Sequence, residues 1–268
     1  MFGKRLVSGI ILVILAAFSL IQGGSILFFV SLALSLIGLF ELYRVLKIEK
    51  EIPGLIGYLA VLGYYLILWT CRTEFVTFFM VALVLSLMTA YVLTFPKYQT
   101  EHIMSALFGV LYVGVLLSFV YQVRSLPDGK FLVWLILFGS WGCDTCAYCV
   151  GMLFGKHKLA PKLSPKKSIE GAVGGVVGAA ALGYLYGMLF EGQMNQVIQP
   201  GFTSACACGV GAVISQIGDL AASAIKRNHE IKDYGHLIPG HGGILDRFDS
   251  MIFTAPAIYF AIMFVGMM

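Results

Sequence analysis

The sequence predicts an all-α, polytopic integral membrane protein of about nine transmembrane helices with no soluble domain. Three observations carry that prediction. Only 12% of the 268 residues are charged and 59% are hydrophobic, whereas soluble domains are roughly 25% charged. The apolar residues fall in runs of about 20, long enough to cross a hydrocarbon core of roughly 30 Å as helices. The alternating strand pattern of a membrane barrel is missing.

In chain order the expected spans are 6–22, 25–43, 53–70, 75–95, 102–123, 131–154, 171–190, 201–225 and 248–267. Met1–Arg5 is basic, but the apolar run behind it reaches Gln22 without a clear small-residue cleavage site, so it reads as a first span rather than a leader. Gly23-Gly24 divides the first run from the second, as two spans or as one re-entrant hairpin. Pro96-Lys97 closes the fourth span, and Leu126-Pro127-Asp128-Gly129 turns the chain into the sixth.

The positive-inside rule orients these spans. With a cytoplasmic N-terminus, alternate loops place fifteen of the eighteen Lys and Arg residues inside, leaving Arg72, Arg124 and Lys130 outside. This puts the two conspicuous polar loops, 155–170 and 226–247, on the cytoplasmic face. Residues 1–123 read as scaffold helices, because their few charged groups, Glu41 and His102 among them, lie at span ends. Residues 124–268 carry the polar chemistry and read as the catalytic region.

Six cysteines are present, and Cys143, Cys146 and Cys149 follow a C-x2-C-x2-C spacing. Position 153 is Leu, so no fourth ligand completes an iron–sulfur pattern. They read as small apolar side chains, with neither a disulfide nor a cluster expected. In span seven, Gly171, Gly175, Ala179, Gly183 and Gly187 form a small-xxx-small stripe. It serves packing within the subunit, the commoner case, or contact in a homodimer.

Ionisable groups inside spans are costly and point to function. Asp144 and Asp219 qualify. Asp219 shares a helix face with Ser215, Ser223 and Lys226. Asp246 and Asp249 lie three apart on one face at the start of the last span, where capping the helix can coexist with metal binding. Carboxylates converging at one depth make a hard-cation site suited to Mg²⁺ or another divalent cation, completed by substrate phosphates. The loop GKHKLAPKLSPKKSIE, with five lysines, suits a phosphate chain or a lipid headgroup. No Walker A sequence occurs. His241, Gly242 and Gly243 offer backbone amides for phosphate. Zinc at His229, His236 and His241 is disfavoured by the hard oxygen donors around them.

The segment S-x-I-K-R-x4-K-D-x-G-x2-I-P-x-H-G-G-x2-D-R-x-D, Ser223 to Asp249, resembles the signature of the phosphatidate cytidylyltransferases, or CDP-diacylglycerol synthases. A second block, Asp144-Thr145, Ala147-Tyr148, Gly151 and then Phe154 to Gly171, resembles the same family. Ser168 stands where that family often has Thr, and Cys146 where a small residue, often Gly, is expected. The resemblance is specific over residues 140–250 and only general in the N-terminal spans. It implies the reaction of CTP with phosphatidic acid to give CDP-diacylglycerol and pyrophosphate, with a divalent metal. On that footing Asp219 and Asp246 are the first metal ligands, supported by Asp144 and Asp249. Lys226, Arg227, Asp246 and Arg247 are the catalytic set. Lys166, Lys167, Ser223, His241, Gly242 and Gly243 are assigned to substrate phosphate. The rival readings are a CTP-dependent kinase of a lipid alcohol such as a polyprenol, and a cation-coupled transporter using Asp144 and Asp219. The expected partners are CTP, phosphatidic acid and the bilayer, with no nucleic acid.

Overall fold

The computed structural model describes residues 2–238 and 242–266. Among them the long helices are α1 (Phe2–Gln22), α2 (Gly24–Val45), α3 (Ile52–Trp69), α4 (Thr73–Leu93), α5 (Thr100–Ser125), α6 (Gly129–Phe154), α7 (Ile169–Leu189), α8 (Pro200–Asn228) and α9 (Leu245–Val265). The eight from α2 to α9 are long and apolar enough to cross a membrane; the apolar part of α1, Ile11–Gln22, is shorter. The first two runs are thus separate helices. Gly23 and Gly24 break them at φ of 63° and 49°, a region that costs glycine little. Arg124 seals the break by donating to the carbonyls of Leu20 at 2.9 Å and Ile21 at 3.3 Å.

The loop 155–170 holds a small antiparallel hairpin, β1 (Lys158–Ala160) and β2 (Ser164–Ser168). Glu170 closes its base, accepting from the backbone N–H of Lys156 at 3.1 Å and of His157 at 3.2 Å. Pro165, which has no N–H, is tolerated because β2 is an edge strand. Ser168 then caps α7 by accepting from Gly171 N–H at 3.1 Å.

The small-residue stripe packs inside the subunit. Gly171, Gly175, Ala179, Gly183 and Gly187 are the buried residues of α7. A Cβ on Gly171 or Gly175 would strike backbone carbonyls of α6, and one on Gly183 or Gly187 would overlap those of α8. Backbones this close lock α6, α7 and α8 together, and α9 packs on α8 and α5. Cys143 and Cys208 are buried at these contacts. Two stretches of wider, π-type turn interrupt the helices, Val110–Val115 in α5 and Phe138–Gly142 in α6. They lie where α5 carries Tyr112 and just before Asp144.

Candidate active site

Four elements converge where α6 ends and α7 begins. A cavity of about 590 Å³ is lined there by Asp144 and Gly151 of α6, Lys166 and Lys167 of the hairpin, and Asp219 and Ser223 of α8. The Lys167 ammonium is ion-paired with Asp219. Asp144 lies within electrostatic reach of both. Gln216, one turn before Asp219, donates to the Ala172 carbonyl at 3.0 Å and so ties α8 to α7 beside the cavity. The two blocks picked out by motif, more than fifty residues apart, thus meet at one cavity, the second through Ser223.

Beside it lies a second, more buried network. Asp246 Oδ1 accepts from Lys226 at 3.0 Å, and Oδ2 accepts from the N–H groups of Tyr234 at 2.8 Å and Gly243 at 3.0 Å. Lys226 is also 4.0 Å from Asp249 and sits over the Tyr234 ring, 5.4 Å from its centre. Tyr234 in turn donates its hydroxyl to the Ala222 carbonyl at 3.0 Å, and burial raises the pKa of that hydroxyl. Asp249 joins the two networks, since it lies within electrostatic reach of both Asp219 and Asp246.

The remaining predicted residues divide. Gly242, at φ 88°, turns the chain back so that its carbonyl accepts from Ile238 N–H at 2.9 Å. An added Cβ there would crowd Asp246. Gly243 spends its N–H on Asp246 rather than holding it open for a ligand. His241 lies outside the described residues. Arg227 is exposed and makes no hydrogen bond or ion pair among the described residues. Arg247 is not brought into the main cavity: it lines a separate small one with Trp141 and residues of α1. At about 100° per residue it leaves the face that carries Asp246 and Asp249.

Three residues that the sequence reading left to the scaffold or passed over reach this region. Glu41 and Arg44 of α2 hold the chain leading into α9, and Tyr112 of α5 lies within electrostatic reach of Asp219 and Asp249. Glu41 gave a signal, an acid at a span end, but nothing in its neighbourhood showed what it faces.

A divalent cation fits this donor set. No three of the described carboxylates, histidines and cysteines are grouped closely enough to hold an ion by themselves. Mg²⁺ commonly binds through one or two carboxylates, with phosphates and water completing the shell. The Ser215 hydroxyl, one turn from Asp219, and the Tyr112 hydroxyl are buried without a hydrogen-bond partner among the described residues. Hard oxygens left unpaired beside carboxylates suit such an ion.

The fold and the cavity define a multi-pass membrane protein with a phosphate-suited site at one end of its helical bundle. The chain belongs to the Cytidylyltransferase family, which it matches over residues 3–265, and is a nucleotidyltransferase. It is 31% identical over 266 residues to the phosphatidate cytidylyltransferase of Bacillus subtilis (strain 168), covering 96% of each chain. It is 34% identical over 259 residues to that of Staphylococcus epidermidis and 33% over 264 residues to that of Staphylococcus aureus (strain COL), in each case covering 95% of this chain and 96% of the relative.

Proposed function

We propose that this chain transfers the cytidylyl group of CTP to phosphatidic acid, releasing pyrophosphate, in the cavity between the hairpin and α8. One observation carries the reading: a cavity lined by lysines and acids opens onto an apolar groove. Leu159, Ala172 and Gln216 line both spaces. The groove, about 390 Å³, runs between α7 and α8 past Val173, Val177, Val213 and Ile217. All four are exposed on the bundle surface, where bilayer lipid would meet them. A lipid phosphate in the cavity can keep an acyl chain in that groove.

In the proposed reaction an oxygen of the lipid phosphate attacks the α-phosphorus of CTP. The bond from that phosphorus to the bridging oxygen of the β-phosphate breaks, and pyrophosphate departs with the electron pair. Phosphatidic acid is already largely ionised near pH 7, its second phosphate pKa being roughly 6, so no strong base is required. Lys166 and Lys167 take up charge on the polyphosphate. As Lys167 turns to phosphate it releases Asp219, and Asp219 with Asp144 would hold Mg²⁺ or another divalent cation, phosphate and water completing the shell and Asp249 supporting them by its charge. When bound, the ion neutralises charge on the phosphates. Lys226 keeps Asp246 and Asp249 oriented. The site faces the cytoplasm of an inner membrane, with the N-terminus on the same side.

Purified protein with CTP, phosphatidic acid and Mg²⁺ should yield a liponucleotide and pyrophosphate in equal amounts. Release of CDP with a phosphorylated lipid alcohol would favour the kinase instead. Sidedness is tested separately. Cysteines introduced near Lys162 and His236 should label from the cytoplasm, and one near Asn195 from outside; the reverse pattern would overturn the orientation alone. The stripe on α7 is taken up within the subunit, so a homodimer, if it forms, must use another face.

A further inference from the structure

We infer that Glu41 and Arg44 of α2 are positioning residues for the reaction, gripping the chain on both sides of the turn into α9 and so fixing where Asp246 and Asp249 stand. The inference rests on the reading that those two acids serve the site.

Glu41 is 3% exposed. One carboxylate oxygen accepts from Ile244 N–H at 3.1 Å and the other from Leu245 N–H at 2.8 Å. These are among the first N–H groups of α9, which a helix cannot satisfy internally. The residue at the helix's own cap position is Ile244, whose side chain cannot accept. A side chain 203 residues away thus does the work of a cap, and its negative charge sits at the positive end of the helix. Its hydrogen bonds run to backbone amides rather than to a cation. Burying an acid this way is costly unless each oxygen is satisfied, so the carboxylate and the start of α9 hold each other in place. The fit is close. A Cβ on Gly235 or Gly243 would overlap the Glu41 carboxylate, which gives two glycines of the signature segment a reason to be glycine.

Arg44, one turn further along α2, donates to the Tyr234 carbonyl at 2.6 Å. The N–H of that same Tyr234 donates to Asp246 Oδ2. Arg44 therefore acts on Asp246 through a single residue, and Glu41 acts on it through the helix turn that carries it. Neither α2 residue lines the main cavity. Both act by setting geometry, and a displacement of about 1 Å in a reacting site can cost on the order of 100-fold in rate.

The test is Glu41→Gln, which keeps the shape but turns an amide NH2 towards a backbone donor. Expected are a fall in kcat of about 10- to 100-fold, a KM for CTP within about threefold of wild type, and faster hydrogen exchange at the amides of Gly242 to Asp246. Glu41→Asp, which keeps both acceptor oxygens, should recover part of the rate. Arg44→Gln, at an exposed position, should lower kcat in the same sense and decides the matter if Glu41→Gln does not fold. Wild-type kcat in folded Glu41→Gln, or lost kcat with unchanged exchange at Gly242 to Asp246, overturns the inference. Asp246→Asn is the control. If it turns over normally the site reading itself fails; if it is inactive while Glu41→Gln is normal, only the clamp fails.

Discussion

Asp219 and Asp246 look alike in the chain, each an acid on a long apolar helix, one in the C-terminal third of α8 and the other in the first turn of α9, yet the protein treats them differently. Among the described residues Asp219 has one ion-pair partner, the Lys167 ammonium, and both side chains are 28% exposed at the cavity wall. Asp246 is 2% exposed at its side chain and both oxygens are engaged, by Lys226 and by two backbone N–H groups. A lone, half-open ion pair exchanges partners easily, because water and phosphate can replace what it gives up. A buried carboxylate with three donors cannot let go without leaving those donors unpaired. On the proposed reading Asp219 meets ligand, while Asp246, expected from the sequence to share the metal ion, holds the turn that brings Asp249 alongside.

The comparison is broken or sharpened by removing each charge in turn. Asp246→Asn should have the largest effect. It leaves Lys226 only its longer, 4.0 Å approach to Asp249 and takes a charged acceptor from the Tyr234 and Gly243 N–H groups, and should cost about 1–3 kcal/mol of stability along with turnover, measured by thermal unfolding in detergent beside the assay. Asp219→Asn should remove about 10²–10³ of the rate with little change in the unfolding midpoint. Equal destabilisation by the two would erase the distinction drawn here. Combined, the two losses in rate should multiply if the acids do separate jobs, whereas a double variant scarcely slower than the slower single one would mean that they act as one unit and erase the distinction. Lys166→Ala with Lys167→Ala should follow, raising the KM for CTP by roughly 10- to 100-fold, the range of a lost charged hydrogen bond. Unchanged kinetics at low CTP would return the hairpin to a headgroup role.

The smallest effect belongs to a polar group far from the site. The Tyr98 hydroxyl, donating at 2.6 Å, and then Lys97 hold the Glu51 carboxyl below the usual range. A depressed folded pKa contributes stability that is complete above the unfolded value, roughly 4.3, and is lost as pH falls through the folded one. Glu51→Gln should therefore leave the activity profile between about pH 6 and 9 unchanged, and alter only acid unfolding. A shifted profile would mean that this end of α3 is coupled to the site.

Much of this was legible in the chain. Apolar run length places the helices because a span must satisfy its own backbone in lipid; α3 and α6 begin and end within two residues of expectation. The stripe on α7 showed that a backbone would approach closely, though not which one. The hairpin within 155–170 was not foreseen, because its base is closed by Glu170 and its lysines gave no strand pattern. The acids that line the cavity, Asp144 and Asp219, stood out by type because ionisable groups are rare and costly inside spans, and Lys166 and Lys167 by the density of charge in their loop.

By itself the sequence determined the class of protein, the helices and the residue types of the site. Each of these follows from local pattern: hydropathy, turn chemistry and the expense of burying charge. Only the tertiary structure decided which partner each charge takes. It gave Asp219 to Lys167 and Asp246 to Lys226, turned Arg247 away to face α1, and brought Glu41 across 203 residues to the head of α9. Those choices depend on how each helix is rotated about its axis and where it crosses its neighbours. Rotation and crossing are set by packing over the whole bundle, which no short stretch of sequence encodes.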